Sequence, residues 1–150
     1  MKKKHPLTQK QLNMNKTTFV AAQRLQKSGL RPSPQRIAVY SYLCRHNTHP
    51  TAETVYKALA PEYPTLSLTT VYQSLEALHE RGLALKITIE DGKMRFDADT
   101  SSHGHFKCTK CGEIFDFSYP DATFFPAPPK GFSAQEAHLY YRGECPKCKA

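Results

Sequence analysis

The chain has 150 residues, 39% of them hydrophobic and 23% charged, with a formal net charge of +8. That length bounds it to one ordinary domain or two small ones. No apolar run approaches the roughly 20 residues of a membrane span, and Lys2-Lys3-Lys4 leads into no hydrophobic signal segment, so a cytoplasmic protein with no membrane partner is expected. The charge is uneven: residues 1–96 carry 15 Lys/Arg against 6 Asp/Glu, and residues 97–150 carry 6 against 7. A basic half joined to a near-neutral half suggests an N-terminal polyanion binder. The three tail lysines are too few to account for the excess.

Residues 1–14 are polar and read as a disordered basic tail. Asn15 to Ser28 reads as a helix, with Phe19, Ala22 and Leu25 on one stripe and Gly29 as its stop. Arg31-Pro32-Ser33-Pro34 breaks the pattern, and Pro34 opens a second helix over about Gln35 to Arg45. Cys44 falls in that helix and reads as a buried, inert thiol. Thr51 caps a third helix that buries Ala52, Val55, Tyr56 and Leu59. Ser67 caps a fourth, running to Arg81, with Leu68, Val71, Leu75 and Leu78 at helical spacing. Its other face offers Thr69, Thr70, Tyr72, Gln73 and Glu76. Leu85, Ile87 and Ile89 then alternate with polar residues as a strand, Asp91-Gly92 is a hairpin turn, and Lys93 to Phe96 return.

Three helices followed by a two-stranded hairpin give the order of a winged helix-turn-helix, whose last helix enters the major groove. The bland reading is a small helical domain with a stray hairpin. The basic charge and the polar face of helix four favour DNA. Gln73 can pair with adenine, and Tyr72 or the methyl of Thr69 or Thr70 can pack on thymine. Lys16, Arg31 and Arg36 are candidates for phosphate contacts. Residues 15–96 are thus expected to form the DNA-binding domain, 97–102 a hinge, and 103–150 a second small domain.

That second domain carries the strongest signal in the chain. Cys108-Thr-Lys-Cys111 and Cys145-Pro-Lys-Cys148 are two CxxC turns, separated by 33 residues. Two such turns complete a four-thiolate shell for structural zinc. Two disulfides are the competing reading, but nothing suggests an oxidising compartment. Upstream, His103 and His105 are two apart, so both imidazoles share a face of an extended strand, with Asp97, Asp99 and Asp116 nearby. Imidazole with carboxylate suits Fe(II), Mn(II) or Zn(II); a polar surface strand is the alternative. Short strands are expected around 105–108, 114–117 and 137–142. Four prolines between residues 119 and 130 argue against a long helix there.

Over residues 15–149 the chain resembles the ferric-uptake regulator (Fur) family of bacterial metal-responsive repressors. The motifs are Leu30-Arg31-Pro32-Ser33-Pro34-Gln35-Arg36, His49-Pro50-Thr51-Ala52-Glu53, Ser67-Leu68-Thr69-Thr70-Val71-Tyr72, Arg95-Phe96-Asp97, His103-Gly104-His105-Phe106-Lys107-Cys108, Cys111-Gly112 and Cys145-Pro146-Lys147-Cys148. The resemblance implies an α+β chain: an N-terminal winged helix-turn-helix domain and a small C-terminal α/β dimerisation domain bearing the four-cysteine zinc site. It implies a homodimer on an inverted-repeat operator in double-stranded DNA, and no enzymatic activity. Within the family the chain looks most like the peroxide-sensing branch. Its regulatory Fe(II) or Mn(II) site would then be His49, Asp97, His103, His105 and Asp116, where iron sensors usually place glutamate at the positions of Asp97 and Asp116. The resemblance further implies that iron and peroxide together oxidise a ligand imidazole, at His49 or His103, and so release DNA. An iron-level repressor is the near alternative. A metal-dependent hydrolase on His103, His105 and Asp116 is a remoter one, since no carboxylate adjoins the HxH as an obvious base. A zinc-ribbon adaptor with no sensor site is a third. His138 does not align with the family's additional histidine ligand, and His5 reads as a solvated tail residue.

Overall fold

The computed structural model describes residues 8–149, so His5 and the other tail residues before Thr8 lie outside the described residues. The chain divides into two compact units, Met1–Thr100 and Ser101–Ala150.

The first unit holds α1 (Gln9–Lys27), α2 (Pro34–Arg45), α3 (Ala52–Leu59), α4 (Leu68–Glu80), β1 (Leu85–Glu90) and β2 (Lys93–Asp97). Every helix start is written in a hydroxyl. Thr8, Ser33, Thr51 and Ser67 each accept a hydrogen bond from the amide three residues on, satisfying one of the orphan donors of the first turn. Gly29 and Gly82, at φ 80 and 70, close α1 and α4. The Leu30 and Leu83 amides then bond back to the Leu25 and Leu78 carbonyls, the left-handed stop that glycine adopts without strain. β1 and β2 pair antiparallel, with Glu90 opposite Lys93 across a two-residue turn.

The helix faces meet in one core of Leu25, Val39, Tyr40, Leu43, Val55, Val71, Leu75, Leu78 and Phe96, all buried. Three expectations from sequence are corrected here. Residues 9–14 belong to α1 rather than to a disordered tail, because Thr8 and Gln11 form a reciprocal capping box. Phe19 is 64% exposed: α1 packs through Ala21 and Leu25, and a residue two places before Ala21 lies roughly 200° around the helix. Cys44 is exposed rather than buried, and desolvation of its sulfur nevertheless pushes the thiol up, which keeps it protonated at neutral pH.

The second unit holds β3 (Gly104–Cys108), β4 (Ile114–Phe117), a 3-10 turn (Ala122–Phe124), β5 (Tyr140–Gly143) and α5 (Pro146–Lys149). The sheet order is β4-β3-β5, with β4 antiparallel and β5 parallel to β3. Registers set two faces. His105, Asp116 and Tyr140 are cross-strand neighbours on one; Phe106, Phe115, Phe117 and Tyr141 share the other. The ring of Phe117 lies across Gly104, where an added Cβ would come within 2.2 Å of it. Between Phe124 and Tyr140 the described residues contain no helix or strand, as the prolines require. The last strand begins at Tyr140 rather than near residue 137.

The packing separates two apolar side chains that look alike in sequence. Leu75→Ala should destabilise the first unit by about 2–5 kcal/mol in urea unfolding, since it leaves a cavity in a closed core. Phe19→Ala should change stability by no more than about 0.5 kcal/mol.

Candidate metal centres and nucleic-acid interface

The four cysteines reach one point because of strand pairing. β3 ends at Cys108, which lies opposite Gly143 of β5, and the Thr109 amide donates to the Gly143 carbonyl at 2.8 Å. That register sets the first CxxC turn beside the second. Gly112, at φ 77, folds the first turn so that its amide bonds back to the Cys108 carbonyl at 2.9 Å. The Cys148 amide does the same to the Cys145 carbonyl at 3.0 Å. All five cysteines of the chain are free thiols.

The sulfurs of Cys108, Cys111, Cys145 and Cys148 lie within 4.8 Å of one another, with Cys111 Sγ and Cys145 Sγ 3.9 Å apart. A tetrahedron with zinc–sulfur bonds of about 2.3 Å has edges of about 3.8 Å. The donor set and its spacing therefore fit Zn(II). The electrostatics say the same. Backbone amides, those of Cys111 first and Cys145 next, hold the Cys108 thiol down at about 6. Hydrogen bonding with the Cys145 thiol, then burial and the other sulfurs, push Cys148 up to about 12. One thiolate forms readily and the last resists, until a divalent cation at the centre lets all four ionise.

Each unit contributes histidine and aspartate side chains. In the first unit, His49 Nε2 lies 3.5 Å from Asp97 Oδ2, and both side chains are buried. Asp97 is the last residue of β2, while His49 sits in the loop before α3. In the second unit, Asp116 Oδ1 lies 3.4 Å from His105 Nε2 and 3.7 Å from His103 Nε2. The two imidazoles meet edge to face, centroids 4.6 Å apart. His103 Nδ1 stands 2.8 Å from the Ser101 carbonyl. A carbonyl only accepts, so Nδ1 carries the proton and Nε2 is left with the lone pair that a metal takes. Gaps of 3.4–3.7 Å are long for hydrogen bonds. They approach the roughly 3.0–3.4 Å between ligands sharing one cation at about 2.1 Å.

The candidate DNA-contacting residues are spread over the first unit. Thr69, Tyr72 and Gln73 are exposed on α4, Lys16 on α1, and Arg31 in the loop before α2. Thr70 is half-buried and bonds its hydroxyl to Ser67 at 2.9 Å, so it serves the cap. Arg36 is half-buried and donates from Nη1 to the Arg31 carbonyl at 2.9 Å. Sequence reasoning missed Glu53, which accepts a 2.5 Å hydrogen bond from the Tyr72 hydroxyl. That bond holds the Glu53 carboxyl below its usual range and the Tyr72 phenol above its own. Nothing in the spacing of α3 and α4 announces the pair.

The ferric uptake regulator family model matches residues 27–139. The chain belongs to that family. The peroxide operon regulator of Bacillus subtilis is 39% identical over 131 residues, spanning 85% of this chain and 90% of the relative. The peroxide-responsive repressor PerR of Staphylococcus epidermidis is 36% identical over 128 residues, spanning 83% and 85%. Among solved structures, the ferric uptake regulator from Pseudomonas aeruginosa with manganese superposes with a TM-score of 0.65 at 28% identity, covering 85% of this chain and 98% of that one. Ferric uptake regulator proteins regulate transcription and are not enzymes, which removes the hydrolase reading.

The thiol values fix a pH test. The lowered value of Cys108 contributes stability that is full above the ordinary thiol range and lost as pH falls through about 6; the raised value of Cys148 contributes stability present below that range and lost as pH rises through about 12. In reduced, zinc-free protein, thiolate ultraviolet absorbance should show a first step near pH 6. Cys108→Ser should remove that step and abolish zinc retention.

Proposed function

We propose that this protein is a peroxide-sensing, metal-dependent transcriptional repressor that binds DNA as a homodimer. The observation that carries the reading is the donor set: imidazole and aspartate groups at metal-ligand spacing, apart from a complete four-thiolate cluster. A zinc-ribbon adaptor would need only the cysteines.

Cys108, Cys111, Cys145 and Cys148 would hold a structural Zn(II). His49, Asp97, His103, His105 and Asp116 would together hold a regulatory Fe(II) or Mn(II), which a rearranged chain could not supply with all five donors. A ligand shifts a conformational equilibrium only through its differential affinity for the two states. The likeness to peroxide regulators, and aspartate rather than glutamate at positions 97 and 116, support peroxide over iron level as the signal. Bound Fe(II) supplies the redox chemistry that turns peroxide against a ligand imidazole, at His49 or His103, and Mn(II) does not. The chain's own part is to position those imidazoles, with the Ser101 carbonyl fixing the His103 tautomer.

Two features support the dimer. Cys108 and Cys145 are the only buried apolar residues of the second unit among those described. Its sheet also presents Phe106, Phe115, Phe117 and Tyr141 on one face, with Tyr141 53% exposed. A second copy covering that face would supply the missing core. Two α4 helices related by a two-fold axis then read an inverted repeat in successive major grooves. Gln73 and Tyr72 would contact bases there; Lys16 and Arg31 would contact phosphates.

The test compares Fe(II)- and Mn(II)-loaded protein on operator DNA before and after modest peroxide, with mass spectrometry of the peptides. The Fe(II) form should leave DNA and gain one oxygen on the peptide holding His49 or His103. The Mn(II) form should stay bound and unmodified, and Asp116→Glu should slow oxidation while preserving metal-dependent binding. Intact histidines and retained DNA in the Fe(II) form would make the protein an iron-level repressor instead.

A further inference from the structure

His49 has a backbone φ of 51, the one non-glycine residue with positive φ among those described. That left-handed conformation is uncommon for a side-chain-bearing residue. Pro50 follows, and its ring further restricts the residue before it. Such strain persists only where the surroundings over-determine it. Three contacts to this loop come from one strand, β2. Arg95 Nη1 donates to the His49 carbonyl at 3.1 Å. The Phe96 amide donates to the Pro50 carbonyl at 3.0 Å. Thr51 forms an antiparallel bridge with Arg95.

Arg95 is itself held. Its Nε donates to Glu90 Oε1 at 2.6 Å, with the side chains 20% and 12% exposed. Glu90 closes β1 at the hairpin tip, and Lys93 Nζ approaches it at 3.8 Å on the other side of the turn. The planar guanidinium thus spans from the tip of the hairpin to the backbone of His49. A lysine would bring a flexible point charge in place of this rigid planar fork. Asp97, two residues beyond Arg95 on β2, lies beside the His49 imidazole.

We propose that Arg95, braced by Glu90, is a positioning residue for the regulatory metal: it fixes the left-handed backbone of His49 and so presents that imidazole beside Asp97. The inference rests on the reading of His49 and Asp97 as ligands. Groups that orient metal ligands are typically worth roughly 10–100-fold in metal affinity. It follows that the wing hairpin and the metal ligand are mechanically one piece. Disturbing the Glu90 end should be felt at the metal although Glu90 is not a ligand.

The test uses full-length, zinc-loaded protein carrying Arg95→Met, Arg95→Lys or Glu90→Gln, with His49→Ala as the reference. Mn(II) affinity is titrated by the electron paramagnetic signal of the free ion, beside zinc content, melting temperature and exchange of the Phe96 amide without Mn(II). Arg95→Met should weaken Mn(II) by about tenfold or more, with Arg95→Lys and Glu90→Gln in between. Zinc content should be unchanged, and the Phe96 amide should exchange faster. A general stability role would lower the melting temperature without lowering Mn(II) affinity, and that result overturns the proposal. So does wild-type affinity in both Arg95→Met and Glu90→Gln. If His49→Ala itself keeps wild-type Mn(II) affinity, the ligand reading fails, and the proposal with it; faster Phe96 exchange would then report only a backbone brace.

Discussion

The constraint on which the second unit depends is the convergence of four sulfurs from two segments 33 residues apart. That unit buries almost no hydrocarbon; among its described residues only Gly104, His105, Cys108 and Cys145 are buried. A three-stranded sheet with one parallel edge has little to hold it in water, since small units bury too small a fraction of their surface. A zinc held by Cys108, Cys111, Cys145 and Cys148 at the end of β3 would stand in for part of the missing core. It would also lock the register that β5 keeps against β3. The same register sets His105 opposite Tyr140 and, through β4, opposite Asp116. Such a staple would make the second unit's share of the proposed sensor site rigid.

The first unit solves the same problem by other means. The proposed ligands His49 and Asp97 hang from a hydrophobic core rather than from a metal. Phe96, fully buried, anchors β2 between Arg95 and Asp97, and the Phe96 amide ties the loop of His49 to the strand. The loops bearing the proposed ligands are thus pinned in one unit by packing and in the other, under this proposal, by sulfur. Such a division would suit a protein with one metal that stays and another that comes and goes.

Much of this was legible in the amino-acid sequence, for identifiable reasons. Hydroxyl caps, a helix-opening proline, a glycine stop and an Asp-Gly turn are local devices, so the helices and the hairpin are placed by Pro34, Thr51, Ser67, Gly29 and Gly92. The CxxC pairs announce a four-sulfur site by spacing alone. The early start of α1 was also written locally, in the Thr8–Gln11 capping box, but a polar helix exposed all round resembles a tail. Other features are tertiary. Which face of α1 packs is decided by α2, so the sequence stripe through Phe19 does not mark the buried face. The left-handed His49, its Arg95 brace and the Glu53–Tyr72 bond join residues 19 to 46 positions apart, or depend on a backbone conformation that residue type disfavours. Composition carries no trace of them.

On the proposed reading, one metal holds the structure while a second governs DNA binding. The direct measurement is native mass spectrometry run in parallel with operator binding, on protein titrated with Mn(II) and then stripped with a chelator. The dimer should keep one zinc per chain throughout, gain one further metal per chain on titration, and bind DNA in proportion to that second metal. Operator affinity that stays constant as the second metal is removed, or a chain that takes up only the cysteine-bound zinc, would contradict it.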